Sequence, residues 1–174
     1  MNDSAPATAL RIRDATAAEL DQLADLIRAS YQEYEPHYPP ERWLNYIRAV
    51  GDVHSRFGEG ELIVAEQDGT LVGTVTFYAD GSRSHQGEWP PGWAGILRLA
   101  VPPRHRGKGI SRALIEECLR RCRARGVATV ALHTTTWMAV ARAMYERMGF
   151  VRTPAFDFFP RPGVVGMGYR LDLV

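Results

Sequence analysis

The chain has 174 residues, a size that suits one domain with one core and leaves little room for two. Its 45% hydrophobic and 24% charged residues are those of an ordinary globular protein, and a net charge of +1 offers no general field for nucleic acid or anionic lipid. No apolar run approaches the roughly 18 residues of a membrane span, the polar opening stretch has no signal core, and Cys118 and Cys122 share one helical stripe rather than a disulfide framework, so a reducing cytoplasm is the expected location.

In chain order, residues 10–14 read as a short strand, and Thr16 with Glu19 forms a capping box that opens a helix through Leu20, Leu23, Ala24, Ile27 and Tyr31. A proline-broken aromatic connector, residues 34–40, leads to a second helix from about Glu41, with Trp43, Leu44, Ile47 and Val50 at helical spacing. Residues 62–66 and 71–78 read as a hairpin about the Asp68-Gly69 turn. The loop 79–93 is long enough to suggest function rather than mere connection.

Residues 94–101 form a strand without alternation, expected to be buried on both faces and ended by Pro102 and Pro103. A helix follows over 108–125, with Ile110, Leu114, Ile115, Cys118, Leu119 and Cys122 as its stripe. Then come a strand at 127–133, a helix at 137–148, and two closing strands at 151–159 and 164–173. Such an order builds a mixed sheet with helices on its faces, α/β or α+β in class.

The stretch Arg104-His105-Arg106-Gly107-Lys108-Gly109-Ile110-Ser111 joins the buried strand to the amphipathic helix. A helix start leaves its first four N–H groups without intrahelical partners. Glycines stand here where a capping side chain would sit, so the donors stay bare and another molecule can approach them closely. With the positive end of the helix dipole and three nearby cations, the site is suited to phosphate, although a basic solvated turn has the same composition. Two nucleotide patterns fail on spacing. Pro102 replaces the first glycine of a P-loop and Gly109 the Ser or Thr after Lys108, while Arg112 occupies the third position of a dinucleotide fingerprint.

This segment resembles the coenzyme A motif of the GNAT superfamily of N-acetyltransferases, Arg/Gln-x-x-Gly-x-Gly/Ala after a strand ending in Val-x-Pro, met here by Arg104, Gly107 and Gly109 after Val101-Pro102. A second family signature, Tyr-Glu-x-x-Gly-Phe, stands at residues 145–150. The resemblance implies a single GNAT domain over residues 1–174, with a mixed, splayed sheet and helices on both faces. It further implies acetyl-CoA as cosubstrate, held by Leu99, Val101, Arg104, Arg106, Gly107, Lys108, Gly109, Ile110 and Ser111. Tyr145 reads from periodicity alone as a core aromatic. The resemblance makes it the candidate general acid, because a phenol can protonate or hydrogen-bond the leaving thiolate. Many members carry asparagine where Met138 aligns, which methionine cannot replace in both amide functions.

Members often place a glutamate on the strand before the motif, but residues 94–99 contain no carboxylate. Deprotonation of the amine acceptor then falls to water or to a distant group: Glu33, Glu35, His85, Glu88 or, ranked first, His133. Tyr31, Tyr34, Glu35 and Trp89, with Tyr38 and Trp93, are expected near the acceptor, although aromatic residues under long loops are commonly structural pins. The arginines at 120–125 complement a helix C-terminus, the cysteines read as core thiols, and no metal is expected. A noncatalytic acyl-CoA-binding sensor is the rival reading. An exposed terminal strand leaves a homodimer open, and the acceptor is a small-molecule or peptide amine, with neither nucleic acid nor membrane expected as a partner.

Overall fold

The fold was obtained as a computed structural model that describes residues 9–84 and 88–173. In chain order the elements are β1 (Arg11–Asp14), α1 (Leu20–Tyr31), α2 (Pro40–Val50), β2 (Glu61–Gln67), β3 (Thr70–Tyr78), β4 (Ala94–Ala100), α3 (Ile110–Ala124), β5 (Thr129–Thr134), α4 (Ala139–Arg147), β6 (Val151–Arg152), β7 (Phe158–Arg161) and β8 (Val164–Asp172).

The strands form one mixed sheet in the order β1-β2-β3-β4-β5-β8-β6, with β7 added beside β8. Among the strand pairs of the described residues, only β4 and β5 run parallel, joined by the α3 crossover that such a pair requires. The β2–β3 hairpin turns at Asp68 and Gly69, whose φ angles of 53° and 72° give the doubly left-handed turn that matches strand twist.

Because β2 and β3 are covered on both faces, they lack polar alternation. Leu62, Val64 and Leu71 pack with Leu23, Ile27 and Val50 from α1 and α2. Ile63, Ala65, Val72 and Val75 face the other way, onto Ile110, Leu114, Ile115, Cys118 and Cys122 of α3. Both cysteines are buried and unpaired within that second cluster. The arginines near the end of α3 meet carboxylates: Arg121 pairs with Asp14, Glu61 and Glu117, and Arg125 with Glu61.

Two boundaries and one sheet edge stand out against the sequence reading. The stretch expected as one strand over 151–159 is broken by a 3-10 turn at Pro154–Phe156, where proline cannot continue the ladder. The helix expected from Lys108 begins at Ile110, because Gly109 is left-handed at φ 77°. The C-terminal strand β8 is not an edge: β5 flanks it on one side and β6 and β7 on the other, which leaves β1 as the terminal strand at a sheet edge. Among the described residues, no helix is long and apolar enough to cross a membrane.

Candidate active site

β4 and β5 pair at only three positions, Ala94 with Val130, Gly95 with Ala131 and Ile96 with Leu132. Beyond Ile96 the strands part, and the cause lies in β4. Leu97 pairs with Thr76 and Ala100 with Thr74, so two residues of β4 stand where β3 has one. Arg98 absorbs the extra length in the left-handed region at φ 54°, an unfavourable conformation for a residue with a side chain, which the surrounding fold must hold in place. Arg98 and Leu99 thereby fall outside the ladder. The Leu99 carbonyl instead accepts the Tyr31 hydroxyl at 3.3 Å.

The loop after β4 leads into α3 through Gly107 and Gly109, at φ 75° and 77°. The first helical hydrogen bond runs from the Ala113 N–H to the Gly109 carbonyl at 3.0 Å. Among the described residues, the N–H groups of residues 107–112 have no acceptor. A Cβ built at Gly107 or Gly109 would meet nothing within 4 Å, so the space in front of these donors is open. The geometry is that of an anion cradle at a helix N-terminus.

The basic side chains of this segment divide in use. Arg106 donates from Nε to the Val101 carbonyl at 2.9 Å and from Nη2 to the Ser30 carbonyl at 3.1 Å. It also pairs with Glu33 at 2.6 Å, and that carboxylate holds the guanidinium above its ordinary pKa. Arg106 therefore ties the loop to the end of α1, and its charge is directed at Glu33 rather than freed for a phosphate. Arg104 donates to His105 Nε2 at 3.0 Å, and desolvation together with Arg104 and Lys108 keeps that imidazole below its usual pKa. Arg104 and Lys108 lie outside the cavity described next; its charged lining comes from Arg98, Arg106, Arg112 and Arg147. The last two carried no motif signal in the sequence.

A cavity of about 480 Å³ runs from this loop into the gap between β4 and β5. Leu99, Val101, Gly107, Gly109, Ile110 and Ser111 line it, with Tyr34, Met138, Ala141, Met144 and Tyr145. The apolar stripe of α4 is thus largely a cavity wall: Ala141 and Met144 are half-buried and Val140 is exposed, while Tyr145 is buried. Tyr145 packs edge-on against Phe150 at 5.7 Å, and burial raises its pKa. Tyr145 thus joins the core and also lines the cavity.

A second cavity, of about 360 Å³, shares Tyr31, Leu97, Arg98, His133 and Thr134 with the first, so the two meet at the split. His133 Nε2 lies 2.7 Å from the Phe156 carbonyl, which can only accept, so Nε2 carries the proton and Nδ1 is left as an acceptor. Burial lowers the His133 pKa, more than the Phe156 contact and Asp157 raise it. The buried Trp89 ring stacks on this imidazole at 4.2 Å.

Of the residues expected near an acceptor, Tyr31 and Trp89 line the second cavity and Tyr34 only the first. Glu35 lines neither; it is exposed and accepts from Gln32 Nε2 at 2.6 Å. Glu88 is exposed and also outside both cavities, while His85 lies outside the described residues. Arg42, Arg161, Tyr46 and Thr135 line the second cavity without having been singled out from the sequence. Among the described residues, no cluster of His, Cys, Asp and Glu stands arranged to hold a metal.

An open mixed sheet, a bulged central strand and an uncapped helix start beside the resulting split define a class: α/β proteins that admit an extended, phosphate-bearing ligand between two strands. Residues 20–150 match the acetyltransferase (GNAT) family, and the chain belongs to that family. It is 34% identical over 101 residues to N-acetylaspartate synthetase of Homo sapiens, covering 58% of this chain and 31% of that protein. It is 37% identical over 111 residues to mycothiol acetyltransferase of Cellulomonas flavigena, covering 63% of this chain and 32% of that protein. The chain thus spans about a third of the length of these curated relatives. The fold is shared with the PaiA N-acetyltransferase of Thermoplasma acidophilum in complex with coenzyme A, at TM-score 0.73 and 20% identity over 94% of this chain and 99% of that one. It is also shared with a GNAT acetyltransferase of Brucella melitensis in complex with acetyl-CoA, at TM-score 0.61 and 20% identity over 96% and 90% of the two chains.

Proposed function

We propose that this chain is one N-acetyltransferase domain that moves an acetyl group from acetyl-CoA to a primary amine by direct attack, in the cytoplasm. The observation that carries the reading is the row of unpartnered N–H groups at residues 107–112, opening onto a cavity that runs into the β4–β5 split. Those donors suit a diphosphate, and the strand edge freed beyond Ile96 suits the amide-bearing arm of the coenzyme. Similarity to structures holding coenzyme A and acetyl-CoA supports the same assignment. Two buried thiols left unpaired accord with a reducing compartment.

Acetyl-CoA, when bound, supplies the thioester. The Leu99 N–H donates to the thioester oxygen as charge develops there; its position in the bulge, where no neighbouring strand is registered against it, supports this role. Tyr145 serves as general acid and donor to the departing sulfur. Its raised pKa keeps it protonated, and because an ordinary thiol titrates near ~8.5, the hydrogen bond carries much of this stabilisation. His133 takes the proton from the attacking amine at Nδ1, since burial keeps the ring neutral and Nε2 is already committed to Phe156. Leu99, Val101, Gly107, Lys108, Gly109, Ile110 and Ser111 form the coenzyme cradle through their backbone, and Arg106 holds its shape. Arg104 serves at its edge. Tyr31 and Trp89 face the acceptor.

The rival, a noncatalytic sensor, is favoured by the absence of a carboxylate on β4. Two cavities that meet at the split favour transfer, because a sensor needs only one. Incubation with acetyl-CoA and a panel of primary amines separates them: an enzyme releases free coenzyme, whereas a sensor binds without turnover. Calorimetry showing no association with acetyl-CoA or coenzyme A would overturn both readings.

A further inference from the structure

The second cavity has an unusual charge for a site that must admit an amine. Its charged lining consists of Arg42, Arg98 and Arg161, and no Asp or Glu lines it among the described residues. Arg161 lies over the Tyr38 ring at 4.3 Å and donates to the His37 carbonyl, which aims its head along the cavity wall. Arg98, displaced from the ladder by the bulge, has no carboxylate partner among the described residues, and neither does Arg42. Several arginines elsewhere are neutralised by carboxylates, as Arg13 is by Glu19 and Glu66 and Arg121 by Glu117 and Glu61. The three arginines of this cavity have no such pairing among the described residues.

A second observation also points to a ligand. The side-chain oxygens of Thr134 and Thr135 are buried without a hydrogen-bond partner among the described residues, and both residues line this cavity. Thr134 is 3% exposed. A buried hydroxyl left unmatched costs about 1–3 kcal/mol, so such groups are commonly completed by something that arrives.

Resting on the acetyltransferase reading, we infer that the acceptor is an amino-carboxylate, a free α-amino acid or a close analogue, whose carboxylate is held by Arg98 and Arg161 while its amine lies toward His133. A planar guanidinium matches a carboxylate with paired hydrogen bonds, which specifies the anion as well as attracting it. The orphan threonine hydroxyls complete the polar contacts, and Tyr31, Tyr46 and Trp89 enclose the body of the molecule. The same cationic lining disfavours polyamines, aminoglycosides and lysine side chains, which would bring positive charge to a site without a carboxylate.

The experiment measures acetyl-CoA turnover with a panel of α-amino acids, each beside the amine left when its α-carboxylate is removed, and with spermidine. The expected result is a kcat/KM at least about tenfold higher for one or more amino acids than for the matching decarboxylated amine. Arg161→Gln is expected to erase that preference while leaving acetyl-CoA affinity unaltered, because Arg161 does not line the coenzyme cavity. Arg98→Gln should do the same to the preference, but because Arg98 lines both cavities its coenzyme affinity can change as well, and Arg161→Gln is the cleaner test. Equal rates within each pair or a preference for spermidine would overturn the acceptor assignment and leave the acetyltransferase reading standing, whereas an inert panel with acetyl-CoA bound would overturn the assignment and favour the sensor. Failure to bind acetyl-CoA at all would instead remove that reading.

Discussion

The Tyr31 hydroxyl on α1 donates to the Leu99 carbonyl in the bulge of β4 at 3.3 Å, a bond between residues 68 apart in the chain. It joins the helical layer on one face of the sheet to the strand segment that opens the split. Burial raises the phenol to about 12, so it remains a donor across the neutral range. Tyr31→Phe removes this partner and leaves the strained backbone at Arg98 and Leu99 less well held. We expect a loss of about 1 kcal/mol in the denaturant midpoint analysis and a few-fold fall in kcat, with coenzyme affinity little changed. A variant with wild-type kcat would show that packing alone holds the bulge.

Tyr145 allows stability and chemistry to be separated. Its ring packs on Phe150, a contact that phenylalanine keeps, and its hydroxyl has no hydrogen-bond partner among the described residues. Tyr145→Phe should therefore alter stability by less than about 0.5 kcal/mol while lowering kcat by about a hundredfold. The coenzyme dissociation constant should stay close to wild type. Unchanged turnover in a well-folded variant would return Tyr145 to the core alone.

The fold was legible where local chemistry and burial agree. Asp68-Gly69 announces its turn, Thr16 and Glu19 their helix start, and the alternate faces of β2 account for an uninterrupted apolar run. The loop before α3 was legible for the same reason: Gly107 and Gly109 write a backbone requirement directly into the sequence. The second cavity was not, because Arg98, Thr134 and Arg161 come to line it only through a bulge and a strand pairing between distant segments. Arg106 shows the same limit: its place in a basic motif is plain in the sequence, but its partners Val101, Ser30 and Glu33 are not.

Gly109 offers a test of the anion cradle with an internal control. An alanine there meets no protein atom within 4 Å, but it must adopt φ 77° and would place a methyl group beside the open N–H donors. Gly69 in the β2–β3 turn has nearly the same geometry, φ 72° and open space, and lines neither cavity. Both Gly→Ala changes should cost about 1–2 kcal/mol of stability. Only Gly109→Ala should also weaken acetyl-CoA binding, by about tenfold, through its crowding of the donors. Equal coenzyme affinity in the two variants would remove the 107–112 cradle from the binding site.

Acid should unfold the protein through its carboxylate clamps. Arg13 holds Glu19 down to about 2, and Arg120 with Arg121 does the same for Glu117. Folded values below the ordinary 4.5 mean that the unfolded chain binds more protons as the pH falls. The stabilisation is therefore complete above 4.5 and disappears as the pH drops toward 2. Denaturant midpoints measured from pH 6 to pH 3 should decline, and Glu19→Gln or Glu117→Gln should flatten part of that decline. Parallel curves for wild type and both variants would place the acid sensitivity elsewhere.

His133 determines where the acid limb of catalysis lies. Burial holds its pKa below the ordinary 6.5, with Arg152 adding to that effect and Phe156 and Asp157 opposing it. As a base it must be neutral, so kcat/KM should remain full at pH 7 and fall only as the pH drops through this lowered value. Trp89→Ala removes the ring stacked on the imidazole and lets water in, so the limb should move up toward the solvent-exposed value. His133→Gln can keep a donor to the Phe156 carbonyl yet supplies no base, so it should lower kcat/KM by about a hundredfold and abolish the limb. If the limb persists at the same pH in the glutamine variant, the proton leaves through water and His133 serves only to hold Phe156 and Trp89 in place.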